Sequence, residues 1–272
     1  MKKLTLSILI SLMLTSCNTV KNYYQVYKTT PESNVTLKDN HLAYEDDNCK
    51  VLYNLWADGG NIGFSFLNKT TTNIYLNLEE CFFVKNGIAN NYYKNRVYTF
   101  STNTGIGQSV AKSMTGINFL QLVQTNSATA NSINTNGTSV SENEEKIICI
   151  PAMTSKIITE YNINQTPYRD CDLLRFPSKK QIKTLNFTKT NSPIVYSNRL
   201  EYKVGQTGKS IKLENNFYVS EITNYPQSEI MDSKRDENCG QEGREYTFTN
   251  YFENVSPDKF YIKYIEEDEW KH

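Results

Sequence analysis

From Lys50 to Ile265 the chain is broken every few residues by Asn, Gly, Pro or Asp, and most apolar pieces between the breaks are too short for helices. Gly63-Phe64-Ser65-Phe66-Leu67-Asn68 alternates so that Phe64 and Phe66 share one face, the two-residue period of a half-buried strand. Similar runs occupy 50–56, 73–78, 81–84, 97–100, 146–150, 156–161, 184–187, 194–204, 209–223, 245–251 and 259–265. The run at 81–84 closes on Asn86-Gly87, a pair that accepts positive φ at both centres of a two-residue turn. Nineteen Tyr and twelve Phe suit such pleated surfaces. No helices alternate with the strands, so a parallel α/β sheet is excluded. The pattern predicts an all-β, antiparallel sandwich.

One stretch departs from it. Residues 101–145 are rich in Ser, Thr, Asn and Gly and poor in aromatics, and read as a long polar insertion, a loop. Val110, Met114, Ile117 and Leu120 fall at helical spacing, so one short helix is allowed there, weakened by Gly116 and Asn118. An internal echo also stands out. Phe66-Leu67-Asn68, Thr70 and Ile74-Tyr75-Leu76 match Phe252-Glu253-Asn254, Ser256 and Phe260-Tyr261-Ile262 in spacing. Each copy reads as strand end, polar turn and partner strand, a repeated hairpin or a convergent one.

The amino terminus sets an address. Lys2-Lys3, an apolar run from Leu4 to Leu14, and Ser16 before Cys17 form a leader too short to span a bilayer. The arrangement resembles a bacterial lipoprotein signal, with residues 1–16 removed. That resemblance implies a diacylglycerol on the Cys17 sulfur and an acyl chain such as palmitate on its amine, hence stable membrane anchoring. Asn18 is not the Asp of inner-membrane retention, and no acidic cluster follows it. The expected place is therefore the outer membrane, facing the periplasm, with surface exposure as the alternative. The polar stretch 17–40 reads as a lipidated tether in which Gln25-Val26-Tyr27 could form a short strand, 41–265 as the sandwich domain and 266–272 as an acidic tail.

Lipidating Cys17 leaves five thiols, an odd number, so at least one stays unpaired. The envelope permits disulfides. Cys81 and Cys149 sit in apolar runs, whereas Cys49, Cys171 and Cys239 sit in polar ones. Cys49–Cys171 is the candidate bridge, though spacing does not decide pairing. Without the leader, 27 basic residues face 29 acidic ones, so nothing calls for a nucleic-acid partner.

Catalytic chemistry finds little purchase. The two histidines are His41, just before a strand, and His272, the last residue, and neither adjoins a nucleophile context. Gly105–Ser113 lacks the Gly-Lys-Ser/Thr of a phosphate loop. Glu45-Asp46-Asp47-Asn48 lacks the spaced ligands and Gly turn of a calcium loop. Glu79-Glu80 and Glu144-Glu145 are adjacent carboxylates, which point to opposite faces on a strand. No metal or cofactor is expected. Tyr23-Tyr24 and Tyr92-Tyr93 should each place one ring inside and one outside.

Trp56–Phe64, Asn68-Lys69-Thr70, Phe82–Gly87 and Ser192–Asn198 together resemble a group of uncharacterised cell-envelope lipoproteins of Bacteroides-like bacteria, over roughly residues 42–265. The resemblance implies envelope location and an immunoglobulin-like fold, with no activity to carry over. The expectation is a non-enzymatic protein-interaction or assembly module, with glycan binding through exposed aromatics as the alternative.

Overall fold

The structure is a computed structural model that describes residues 21–32, 34–38, 40–103, 137–240 and 243–266. It is all-β and antiparallel, with only three-residue 3-10 turns beside the strands. Among the described residues no helix is long and apolar enough to cross a membrane.

Strands β1 (Lys21–Pro31), β2 (Thr36–Lys38), β3 (His41–Glu45), β4 (Cys49–Tyr53), β5 (Phe64–Asn68) and β6 (Ile74–Asn77) open the chain. Next come β7 (Phe82–Lys85), β8 (Ile88–Asn91), β9 (Val97–Asn103), β10 (Gly137–Asn143), β11 (Ile147–Ile150) and β12 (Ser155–Ile158). The last are β13 (Thr184–Asn186), β14 (Val195–Val204), β15 (Ser210–Pro226), β16 (Met231–Gly240), β17 (Gly243–Phe252) and β18 (Lys259–Glu266).

A nine-stranded sheet runs β11-β6-β14-β15-β1-β18, with β7, β8 and β13 attached to its flanks. The two long strands change partners along one edge. β14 pairs first with β7 and then with β6, and β15 first with β14 and then with β13. A five-stranded sheet, β12-β5-β4-β3-β2, lies against its inner face. Val51, Tyr53, Phe64 and Phe66 from the small sheet meet Leu200, Tyr202, Leu213 and Phe217 from the large one, all buried. Phe66 meets Tyr202 edge-on at 5.4 Å between ring centres, and Tyr53 meets Phe217 in the same way. Each such pair adds about 0.5–1.5 kcal/mol beyond the area it buries.

Polar groups inside the sandwich are matched. Asn215 donates to the Tyr53 hydroxyl at 2.7 Å, and the Tyr92 hydroxyl donates to Asn198 at 2.8 Å. Asn198 in turn donates to the Ile62 carbonyl. Left unmatched, each group would cost about 1–3 kcal/mol, so these bonds define which strand lies opposite which. The Asn86-Gly87 turn forms as expected, with φ of 48° and 83°, and closes the β7–β8 hairpin.

Several expectations change. The stretch read as a tether to residue 40 becomes β1 from Lys21 onward, held between β15 and β18 inside the large sheet. Both of its faces are covered, so Tyr23 and Tyr24 are both buried rather than one of the two. The second tyrosine pair comes closer to expectation, with Tyr92 buried and Tyr93 half-buried. The insertion is not loop at its ends, because β9 and β10 pair as hairpin arms over 97–103 and 137–143. Val110, Met114, Ile117 and Leu120 lie outside the described residues, as do Gly105–Ser113, His272, Cys17 and the tail from residue 267. The echoed segments are not hairpins: β5 and β6 belong to different sheets, and so do β17 and β18. Each copy is a corner where the chain leaves one pair of strands for another.

Candidate functional site

The small sheet covers only part of the large one. Over β1, β18 and the end of β15, the segment from Tyr161 to Ile182 takes its place, and between them lies a cavity of about 460 Å³. That is within the usual range for small-molecule sites. Its floor is Gln25 and Asn224, which are 1% and 3% exposed. Gln25 donates to the Tyr168 carbonyl at 2.9 Å and to Asn224 at 2.8 Å, and accepts from the Tyr168 amide at 2.6 Å. Asn224 donates to the Leu174 carbonyl at 2.8 Å, and the Tyr264 hydroxyl donates to the Arg175 carbonyl. These bonds hold the loop at several points, so the cavity is preformed.

Leu173, Leu174 and Tyr264 supply its apolar lining. Tyr264 stacks on Tyr23 at 5.8 Å, and Tyr168 meets Phe187 edge-on at 5.9 Å. Burial pushes both tyrosine hydroxyls up in pKa, Tyr264 more than Tyr168, where the Asp170 charge adds to the effect. Beneath them, burial pushes Tyr27 up to about 12, against a lowering from the Tyr168 amide. These hydroxyls are donors at any working pH rather than acids. At the rim stand Arg169, Arg175 and Asp170. The Asp170 carboxylate accepts from the Asp172 amide at 2.8 Å and from the Tyr168 hydroxyl at 3.3 Å. Among the described residues it is the one carboxylate lining the cavity.

A second surface is the β16–β17 hairpin, which pairs with no other strand among the described residues. Tyr246 and Phe248 lie on one face and Tyr251 on the other, exposed by 47%, 73% and 44%. The Arg235 guanidinium lies 3.6 Å over the Tyr246 ring. At the hairpin base, Phe252 packs on Tyr24 and Trp56, which anchors the arm to the outer face of the large sheet.

The residues singled out from sequence are mostly structural. Cys49 and Cys171 are free, one buried in the core and the other exposed at the cavity, so the candidate bridge is not made. Cys49 points inward from β4, and strand alternation fixes it there, away from the surface loop. Burial pushes the Cys49 thiol up, and Cys81 up to about 12, which makes both poor nucleophiles. Asp46 caps a turn by accepting from the amides of Asn48 and Cys49 and the hydroxyls of Tyr44 and Tyr202. Burial raises its carboxyl pKa, but those four donors outweigh it and hold the group low. Glu79 pairs with Lys146 at 2.8 Å. Glu144 binds Arg96 at 2.5 Å and both backbone amides at the foot of the β9 arm. Among the described residues no group of three or more His, Cys, Asp or Glu could hold a metal.

Sequence reasoning missed the cavity. Gln25 lies in the polar stretch read mainly as a tether, and Asn224 falls just past the run at 209–223. The available signal was Tyr168-Arg169-Asp170 beside Leu173-Leu174, aromatic, charged and apolar residues crowded into a turn-rich stretch. No family model, curated protein or solved structure matches this chain.

Proposed function

We propose that this chain is a bacterial envelope lipoprotein, anchored through acylated Cys17 and facing the periplasm from the outer membrane. In this reading it is non-enzymatic and works as a protein-interaction or assembly module, its sandwich immunoglobulin-like in kind. The observation that carries the reading is the β16–β17 arm. Among the described residues both its edges lack a strand partner, and exposed Tyr246 and Phe248 share one face. Open strand edges and surface aromatics are what protein partners bury. A two-stranded ribbon is marginal alone in water, so a partner would also stabilise it. Glycan binding in the cavity is disfavoured because the hydroxyls of Tyr168 and Tyr264 are already engaged.

The test places a photo-crosslinking residue at Phe248 in intact cells. A discrete adduct that disappears with Tyr246→Ser, and is absent when the crosslinker replaces Lys156, supports the reading. Diffuse or absent adducts at Phe248 would overturn it. Labelled palmitate incorporated equally by wild type and Cys17→Ser would remove the anchor.

A further inference from the structure

We infer that the cavity under the Pro167–Arg175 loop is a binding site for a small organic anion, an apolar or aromatic body carrying a carboxylate or phosphate. The inference is separate from the role of the β16–β17 arm. Three observations carry it.

The first is preorganisation. Gln25, Asn224 and Tyr264 spend their hydrogen bonds on the loop backbone, at Tyr168, Leu174 and Arg175. The loop is held open without a ligand, so binding need not first order it. The second is the lining. Leu173, Leu174 and the Tyr264 ring offer apolar surface for an apolar body, and Leu174 stays 50% exposed although it borders a cavity. The third is the charge at the rim. Arg169 and Arg175 have no carboxylate partner among the described residues, and Arg175 lies over the Phe176 ring at 4.8 Å. Asp170 is the one rim carboxylate among the described residues, and it accepts from the Asp172 amide and the Tyr168 hydroxyl. Two guanidinium groups therefore remain for an incoming anion, and guanidinium binds carboxylate or phosphate through paired donors. A neutral apolar molecule would leave that charge unused, and a free inorganic ion would leave the apolar lining wet.

Cys171 makes the site testable, because it is exposed and lines the cavity, whereas Cys149 is exposed on β11, elsewhere in the sheet. The full chain, purified in a non-ionic detergent, is alkylated with iodoacetamide and each thiol is followed by peptide mass spectrometry. Phenyl phosphate should slow Cys171 saturably and leave Cys149 unchanged. Benzyl alcohol, its neutral counterpart, should need at least about tenfold more, the effect expected for losing a charge-assisted bond. Arg169→Gln with Arg175→Gln should abolish the protection, and Lys156→Gln should keep it. Buried Cys81 must remain unreactive in each variant, which checks the fold. Among positive results, protection by short-chain phosphatidylglycerol assigns the anion to a lipid headgroup, and protection by phenyl phosphate alone assigns it to a soluble compound. Equal slowing of Cys171 and Cys149, equal potency of benzyl alcohol, or full protection in the double arginine variant would each overturn the inference.

Discussion

The corners at Asn68 and Asn254 share their residue pattern and do opposite work. Asn68 is fully buried. Its amide donates to the carbonyls of Thr72, Ile150 and Pro151 at 2.8–3.1 Å, and its oxygen accepts from the Thr70 amide and hydroxyl. It fastens the β5 end to the turn that follows β11, where the chain passes from the small sheet to the large one. Asn254 is exposed, and no side-chain bond ties it to the described residues. At that corner Ser256 bonds to Asp258 instead, and the backbone carbonyls of Pro257 and Asp258 receive Leu55 and Thr29. The lesson is that a shared turn motif sets local geometry alone. Whether its asparagine becomes structural depends on how many orphan carbonyls the surrounding strands leave nearby.

The comparison can be broken most directly at Asn68. Asn68→Ala strands several buried groups and should cost about 2–4 kcal/mol, read as a lower urea midpoint at unchanged slope. A loss below about 1 kcal/mol would put the two corners on a par.

The next test concerns the brace beside that corner. Lys69 donates to the carbonyls of Asn48 and Asp46, so the Asp46 turn supports the Asn68 corner and, among the described residues, has no counterpart near Asn254. Asp46→Asn should cost about 1–2 kcal/mol at neutral pH, allowing for the partial exposure of the group. Because the Asp46 carboxyl is held low in the fold, its contribution is present above the unfolded value near about 4 and fades as pH falls through the folded one. Wild type should therefore lose more stability than Asp46→Asn on going from neutral pH into the acid range. Parallel acid limbs would contradict this.

Smaller again is Ser256→Ala, expected to cost about 0.5–1.5 kcal/mol by releasing Asp258. Asn254→Ala should change stability by less than about 0.5 kcal/mol, as for an exposed position away from special features. A larger effect at Asn254 would mean that the two corners work alike after all.

Much of the fold could be read from residues because strand alternation and turn chemistry are local. Phe64 and Phe66 face inward as their spacing requires, and Asn86-Gly87 turns where it should. Reading failed where pairing is distant. The strand β15 carries an extra residue at Ser220, so its inward set passes from Leu213, Asn215, Phe217 and Val219 to Ile222 and Asn224. A strict two-residue period carried through Ser220 would send Asn224 to the wrong face, and with it the floor of the cavity. The polar composition of β1 misled in the same way, since Gln25 finds its partners 143 and 199 residues away.

Local residue chemistry settles that this chain is a β-protein, where most strands lie, which faces are apolar and which turns are tight. Those properties follow from the chemistry of neighbouring residues. Tertiary structure alone decided that Lys21–Pro31 is an inner strand and not a tether, that Cys49 and Cys171 stay apart, and that a loop stands in for a missing part of the small sheet. Hydrogen-bond partners and packed faces arrive from distant parts of the chain, and a polar side chain looks solvent-bound until its partner is in place.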